Sequence, residues 1–205
     1  NWQRQWLGER HTDLAATLHN LGSCHAQRAN PRDALQCYQA ALVMKEALFG
    51  PGNFQVAKTL LNMAAVHEEV GDIPKAQALL TRALSISQKN HGRVHVSVAM
   101  CLNNLGVCHG KLGEWDRAAT SFSKAAELFA RSLGPDRMRR SMEVARAHHN
   151  HGRALCALDL LLDAEDAFVL AAGIHQNIGL GETDRERQAT EQHLAALRAF
   201  LESEV

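Results

Sequence analysis

The chain has 205 residues, long enough to bury a core without disulfide or metal, and its 22 basic and 22 acidic side chains balance. A zero net charge gives no global pull toward nucleic acid or anionic membrane, and no window approaches the ~18 apolar residues of a membrane span. Five cysteines, an odd number with no C-x-x-C pair, make no disulfide framework and fit a reducing, cytoplasmic compartment.

Ala and Leu number 32 and 27, against 22 for Val, Ile and Thr together. Helix formers outweigh strand formers, so the chain reads as all-α. That disfavours the sheet-based nucleotide and hydrolase folds, which need buried β-branched strands. Taken in order, Asn1 to Leu7 aligns with Val43 to Phe49, the end of a second helix. Residues 1–8 are therefore expected to close an upstream repeat, with a stop at Leu7-Gly8 and with Trp2 and Trp6 on one face. The chain then reads as a piece of a longer protein.

Four similar units follow. The first, residues 11–50, carries Leu18, Leu21, Gly22 and His25 on one stripe of a helix. A break at Ala29-Asn30-Pro31 precedes a second helix with Ala34, Tyr38 and Ala41. Residues 53–91 repeat this with Leu60, Met63, Ala64 and His67, a break at Gly71-Asp72-Ile73-Pro74, then Ala76, Leu80 and Ala83. Residues 94–133 do so with Leu102, Leu105, Gly106 and His109, a break at Gly113-Glu114-Trp115, then Ala118, Phe122 and Ala125. Residues 136–178 carry His148, His151, Gly152 and Leu155, then Ala164, Phe168 and Ala171, with the break near Asp159. The first two steps are 42 residues and the third is 46. Four added residues, through Arg137-Met138-Arg139-Arg140, predict a first helix one turn longer in the fourth unit. Gly-containing stops separate the units at Phe49-Gly50-Pro51-Gly52, His91-Gly92 and Leu133-Gly134-Pro135. Finally Thr183-Asp184-Arg185-Glu186 has a capping-box pattern and opens a helix over 184–204 with Leu194, Leu197 and Leu201. Such an end helix covers the apolar face of the last repeat.

The Leu-x-x-Leu-Gly stripe followed by Ala, an aromatic and Ala resembles the tetratricopeptide repeat, whose usual period is ~34 residues. The 42-residue form, with His11-Thr12-Asp13-Leu14-Ala15 before Leu18-His19-Asn20-Leu21-Gly22, resembles the kinesin-light-chain subtype. So does His95-Val96-Ser97-Val98-Ala99 before Leu102-Asn103-Asn104-Leu105-Gly106. The resemblance spans residues 1 to about 178. It implies a single solenoid domain over 1–205: an α-α superhelix of four helical hairpins, with a partial leading helix and a capping helix. The chain departs from the family at the usual Tyr, which is His25, His67, His109 and Leu155 here, and at His148 and His151, which replace Leu.

For chemistry, the sequence offers little. His148, His149, His151 and Cys156 suggest metal ligands, but adjacent helical residues do not converge, so no metal or cofactor is expected. Cys24 and Cys108 share one repeat position and lack a base with an orienting third group. There is no phosphate-binding glycine loop, and no catalytic set is visible. Trp115 reads as packing at a turn.

Asn20, Asn62, Asn104 and Asn150 recur just before the core residue of each first helix, beside the core stripe. An amide both donates and accepts, which suits holding the backbone of an extended peptide. The alternative is that each Asn bonds a neighbouring repeat. Lys58, Asn103, Arg146, His149 and Arg153 fall on the same face of the first helices. The reading is an adaptor, not an enzyme: a monomer that holds a peptide with acidic residues in its concave groove. Neither nucleic acid nor membrane is expected as a partner. The family resemblance implies cargo or complex assembly, with a possible tie to the cytoskeleton. A purely structural solenoid, or the regulatory domain of an enzyme whose catalytic part lies elsewhere, is the alternative.

Overall fold

The computed structural model describes residues 2–181 and 183–203, with side chains from residue 11 onward. Among these residues there are ten helices and no strand, as the composition requires. The chain divides into two compact units, residues 1–93 and 94–205, each taken here by itself.

Unit 1 holds α1 (Trp2–Gln27), α2 (Pro31–Phe49), α3 (Phe54–Glu69) and α4 (Ile73–His91). Helices α1 and α2 form one hairpin and α3 and α4 a second, with α2 packed on α3. Unit 2 holds α5 (Val96–Lys111), α6 (Trp115–Leu133), α7 (Pro135–Met138), α8 (Met142–Ala157), α9 (Leu161–Ile178) and α10 (Arg185–Ser203). Its hairpins are α5/α6 and α8/α9; α6 packs on α8, and α10 packs on α9.

One turn closes all four hairpins. The N–H groups of Asn30, Asp72, Glu114 and Leu160 donate to the carbonyls of His25, His67, His109 and Leu155 at 3.0, 2.8, 3.0 and 3.0 Å. The residue before each donor is left-handed: Ala29, Gly71, Gly113 and Asp159, with φ of 54°, 86°, 75° and 61°. This six-to-one bond satisfies a carbonyl that the helix end leaves open. Gly71 and Gly113 adopt the conformation freely, whereas Ala29 and Asp159 carry a Cβ into it at roughly 1 kcal/mol each.

Inside each hairpin a small residue on the first helix meets a large one on the second. A Cβ on Gly22 would lie 2.8 Å from the Tyr38 ring, one on Gly106 2.7 Å from Phe122, and one on Gly152 2.9 Å from Phe168. In the second hairpin these two positions hold Ala64 and Leu80, both buried. The smaller partner leaves room for the methyl. The second-helix alanines Ala34, Ala41, Ala76, Ala83, Ala118, Ala125, Ala164 and Ala171 are all fully buried. In unit 2, Phe129, Val144, Ala145, Ala147 and Ile174 belong to the core that joins the hairpins.

Four sequence expectations need correction. The stop at Leu7-Gly8 is absent, because α1 runs unbroken through it; a glycine inside a helix costs about 1 kcal/mol but does not oblige a break. The Trp2 and Trp6 side chains lie outside the described ones. The first helix of the fourth unit is not longer: α8 has 16 residues, as do α3 and α5, and the added residues form the separate turn α7. Pro135 starts that turn, and Ser141 stops it by capping α8, its Oγ accepting from Val144 N at 3.4 Å. The cap of α10 is Asp184, not Thr183. Its Oδ1 accepts from the N–H groups of Glu186 and Arg187 at 3.0 and 3.1 Å, while the Glu186 side chain turns to Arg146. Leu21, expected in the core stripe, is 45% exposed. His151, at the same repeat position, lines a pocket with Ser123 and Ala126 of α6; α1 packs on α2 and α3.

Candidate functional site

Each first helix presents a polar face beside its core stripe, and the expected asparagines fall on it in different environments. In unit 1, Asn20 and Lys58 are exposed. Asn62 is half-buried and points back to the preceding hairpin, its Nδ2 lying 3.3 Å from His19 Nε2 and 3.5 Å from Ser23 Oγ. In unit 2, Asn103 Nδ2 donates to Asn104 Oδ1 at 3.3 Å, and both amides stay on α5. Asn150 and Arg153 line one pocket of about 220 Å3 with Gly106, Val107, Gly110 and Trp115. The two glycines and the absent side chains they imply open this hollow between α5 and α8, and the Phe122 and Trp115 rings floor it.

Arg146 and His149 are engaged by α10. The Arg146 Nε donates to both Glu186 oxygens at 2.9 and 2.8 Å, and that carboxylate holds the guanidinium pKa above its usual value. His149 Nδ1 lies 2.9 Å from Thr190 Oγ1, and its ring meets Phe168 and His193 edge-on. On α10, Leu197 is buried, with the partly buried Leu194 and Leu201 packed beside Leu155 and Phe168.

Sequence reasoning missed the buried polar groups under this face. In unit 1, Lys45 is only 4% exposed, and its Nζ donates to Thr59 Oγ1 at 2.9 Å. The Thr59 hydroxyl donates to the Gln55 carbonyl at 3.2 Å. His19 Nδ1, 3.2 Å from the same oxygen, is then the N–H donor, which leaves Nε2 to accept from Asn62. Burial is the main force lowering the His19 pKa to about 4, helped by Lys45 and Lys58. Burial likewise lowers Lys45 to about 8, with Lys58 adding to it. In unit 2, His149 and Thr190 stand at the corresponding places, and His149 is also lowered to about 4, chiefly by burial and then by His193. His175 is 1% exposed, with neither ring nitrogen hydrogen-bonded. The signal for these residues was the repeat offset: Lys45, Ser87, Phe129 and His175 recur at the same 42, 42 and 46 spacing, and all four are buried.

The turn histidines behave differently from a plain core residue. His109 Nδ1 lies 2.7 Å from Glu114 Oε2. His67 Nδ1 lies 3.4 Å from Asp72 Oδ2 without hydrogen-bond alignment, and burial lowers its pKa. His148 and His151 are half-buried against α6; burial brings His148 to about 4 and lowers His151, which Asp163 partly offsets. No group of three His, Cys, Asp or Glu side chains among the described residues is arranged to hold a metal ion. Cys24, Cys37 and Cys156 are free thiols, and Cys101 and Cys108 are buried. No helix among the described residues is long and apolar enough to cross a membrane.

The comparisons agree with this architecture. Two tetratricopeptide-repeat family models match the sequence, one over residues 14–54 and the other over 55–131. A search of curated proteins returns no match. Among solved structures, the nearly identical TPR-like repeats described as a kinesin light chain from Podosopora anserina align at a TM-score of 0.71 and 16% identity, over 91% of this chain and 86% of that one. A single-substitution variant of that protein aligns at 0.72. BtubC (BKLC) from P. vanneervenii aligns at 0.71 and 22% identity, over 94% of this chain and 83% of that one. These likenesses carry the fold, while the small-residue and aromatic pairs and the two sequence matches carry the descent: the chain belongs to the tetratricopeptide-repeat family.

Proposed function

We propose that this chain is a non-catalytic scaffold whose first helices receive an extended, acidic peptide segment of a partner protein. Tetratricopeptide repeats are in general protein-interaction modules, and the finer reading rests on one observation. The hollow in unit 2 has an apolar floor and carries the Asn150 amide and the Arg153 guanidinium at its edge. Such a hollow suits one side chain of a peptide, with the amide on its backbone and the guanidinium on a carboxylate. Asn103, Asn104, Arg146 and His149 belong to this face in unit 2, and Asn20, Lys58 and Asn62 to the corresponding face in unit 1. The chain acts as a monomer in a cytoplasmic, reducing setting on this reading, in cargo or complex assembly.

The test is the double variant Asn104→Ala, Asn150→Ala, measured against peptides selected on the native chain from a displayed random library. Losing two hydrogen bonds of ~0.5–1.5 kcal/mol each gives a roughly 5- to 150-fold weaker Kd. Thermal stability should hold or rise, because Ala is the better helix former. Raised salt should also weaken binding. A lower Tm with unchanged affinity would overturn the groove. The second reading, a structural solenoid or an enzyme's regulatory domain, draws support from Asn62, which bonds His19 and Ser23 of the hairpin before it.

A further inference from the structure

The residues added between the third and fourth repeats line a cleft in unit 2. Helix α7 and the turn after it place Arg137, Arg139 and Arg140 around a cavity of about 870 Å3. Its floor is apolar, from Val96 and Met100 of α5 and Leu133 at the end of α6. Met100 is 38% exposed and so is open to a ligand in the cleft. No ion pair among the described residues involves any of the three arginines, nor Arg153 or Arg185, whereas Arg117, Arg131, Arg146, Arg187 and Arg198 of the same unit are paired. Asp136 and Glu143 also line the cleft, and Glu143 accepts from Ser141 Oγ at 2.8 Å.

We propose that this arginine-rimmed cleft binds a phosphorylated peptide segment of a partner, with the phosphate on Arg137, Arg139 and Arg140 and an apolar neighbour on Met100. The number of acceptor oxygens favours a phosphate over a carboxylate. Three guanidiniums against two carboxylates leave one net positive charge, so the cleft suits an anion. A phosphate carries about −1.5 to −2 charges and three strong acceptor oxygens, enough to engage more than one planar guanidinium at once. The apolar floor and the volume argue for a peptide carrier. Ligand pockets span roughly 300–1,000 Å3, far more than a free phosphate fills, and Val96, Met100 and Leu133 offer such an ion nothing. Recognition of phosphorylated motifs by clustered arginines is a recurrent solution to this chemistry. The site does not depend on the asparagine face, since none of those asparagines lines it.

The experiment uses the whole chain and fluorescence anisotropy. The probe is a labelled pool of nonapeptides with a fixed central phosphoserine and mixed flanking residues. Parallel arms carry serine or glutamate at the centre, or a single-stranded oligonucleotide. We expect the phosphoserine pool to bind at least tenfold tighter than the serine pool. Replacing all three arginines by Gln should remove that preference and flatten the salt dependence. Met100→Ser should weaken the peptide several-fold without changing the preference for phosphate. The arginines are exposed, so the variant should melt as the native chain does; should it not, the single variant Arg139→Gln must still weaken binding by threefold or more. The Asn104→Ala, Asn150→Ala variant should bind the phosphoserine pool normally, which separates failure here from failure of the groove. Equal binding of the serine and phosphoserine pools would overturn the proposal, as would full affinity in the glutamine variants. So would glutamate binding as tightly as phosphoserine, equimolar inorganic phosphate displacing the peptide, or preference for the oligonucleotide.

Discussion

Unit 1 and unit 2 bury polar side chains at the same repeat positions, yet these sites differ in their hydrogen bonding. Around Thr59, Lys45, His19 and Asn62 form a chain in which each side chain has at least one hydrogen-bond partner. Around Thr190, His149 has its partner, but His175, at the offset of Lys45, has none for either nitrogen. The lysine stem has four rotatable carbons with which to reach the hydroxyl; an imidazole has one. The third repeat avoids the problem, since Phe129 occupies that offset in an apolar core. A buried site can therefore be polar and complete, polar and incomplete, or apolar, within one repeat pattern. The middle case should be the least stable for its size.

The largest effect should come from Thr59→Val. It strands both Lys45 and His19, and a global loss of about 3 kcal/mol is expected in denaturant unfolding, since each buried unsatisfied group costs ~1–3 kcal/mol. Thr190→Val strands His149 alone, so about half that loss is expected. Equal losses would mean that the two sites do not differ as described.

Titration comes next. His19, His148 and His149 are held near 4 when folded and titrate near 6.5 when unfolded. The unfolded chain thus binds more protons between these values. Stability is fully present above about 6.5 and falls as the pH drops toward 4. Lys45 shows the opposite side of the same rule. Its pKa is lowered to about 8, so its charge is a burden at neutral pH, relieved as pH rises from 8 toward 10.5. Hydrogen exchange resolved by segment should therefore show unit 1 gaining protection above pH 8 while unit 2 does not.

His175→Phe copies Phe129 into the fourth repeat. A gain of about 1 kcal/mol is expected in thermal melts, because the unpartnered ring is replaced by an apolar one of similar shape. A loss would show that His175 has a partner that matters. Smallest of all, Ala29→Gly should add roughly 0.5–1 kcal/mol by relieving the left-handed turn of the first hairpin. Gly113 in unit 2, already glycine, has no such strain to relieve.

How much of this was legible beforehand depended on which physical rule each residue obeyed. The hairpins were readable because Leu, Gly, Ala and the aromatics recur at fixed offsets, and because Pro31, Pro74 and the glycine stops interrupt them. Gly71 and Gly113 marked turns by composition, while Ala29 and Asp159 could be placed only by alignment to them. The turn α7 was not readable from length alone, since four residues extend a helix as readily as they form a separate turn. Pro135 and Ser141 held the answer as a start and a cap. The asparagine column was visible, but not that Asn62 bonds backward while Asn150 lines a hollow; that depends on partners 43 residues away. Lys45 was hidden because an apolar stripe says nothing about a charged residue inside it.

The tight contact between Gly22 and Tyr38, repeated at Gly106 with Phe122 and Gly152 with Phe168, bears on inheritance. A methyl at one of these glycines has no room until the ring opposite shrinks, and Ala64 stands at that position where Leu80 replaces the ring. The two positions must therefore change together. Because both lie within one hairpin, a crossover in a loop between hairpins transmits a matched pair, whereas a crossover inside a hairpin separates it. Lineages of such chains are then expected to gain, lose and shuffle repeats at Gly50, Gly92 and Gly134, and to do so far more readily than they trade single helices.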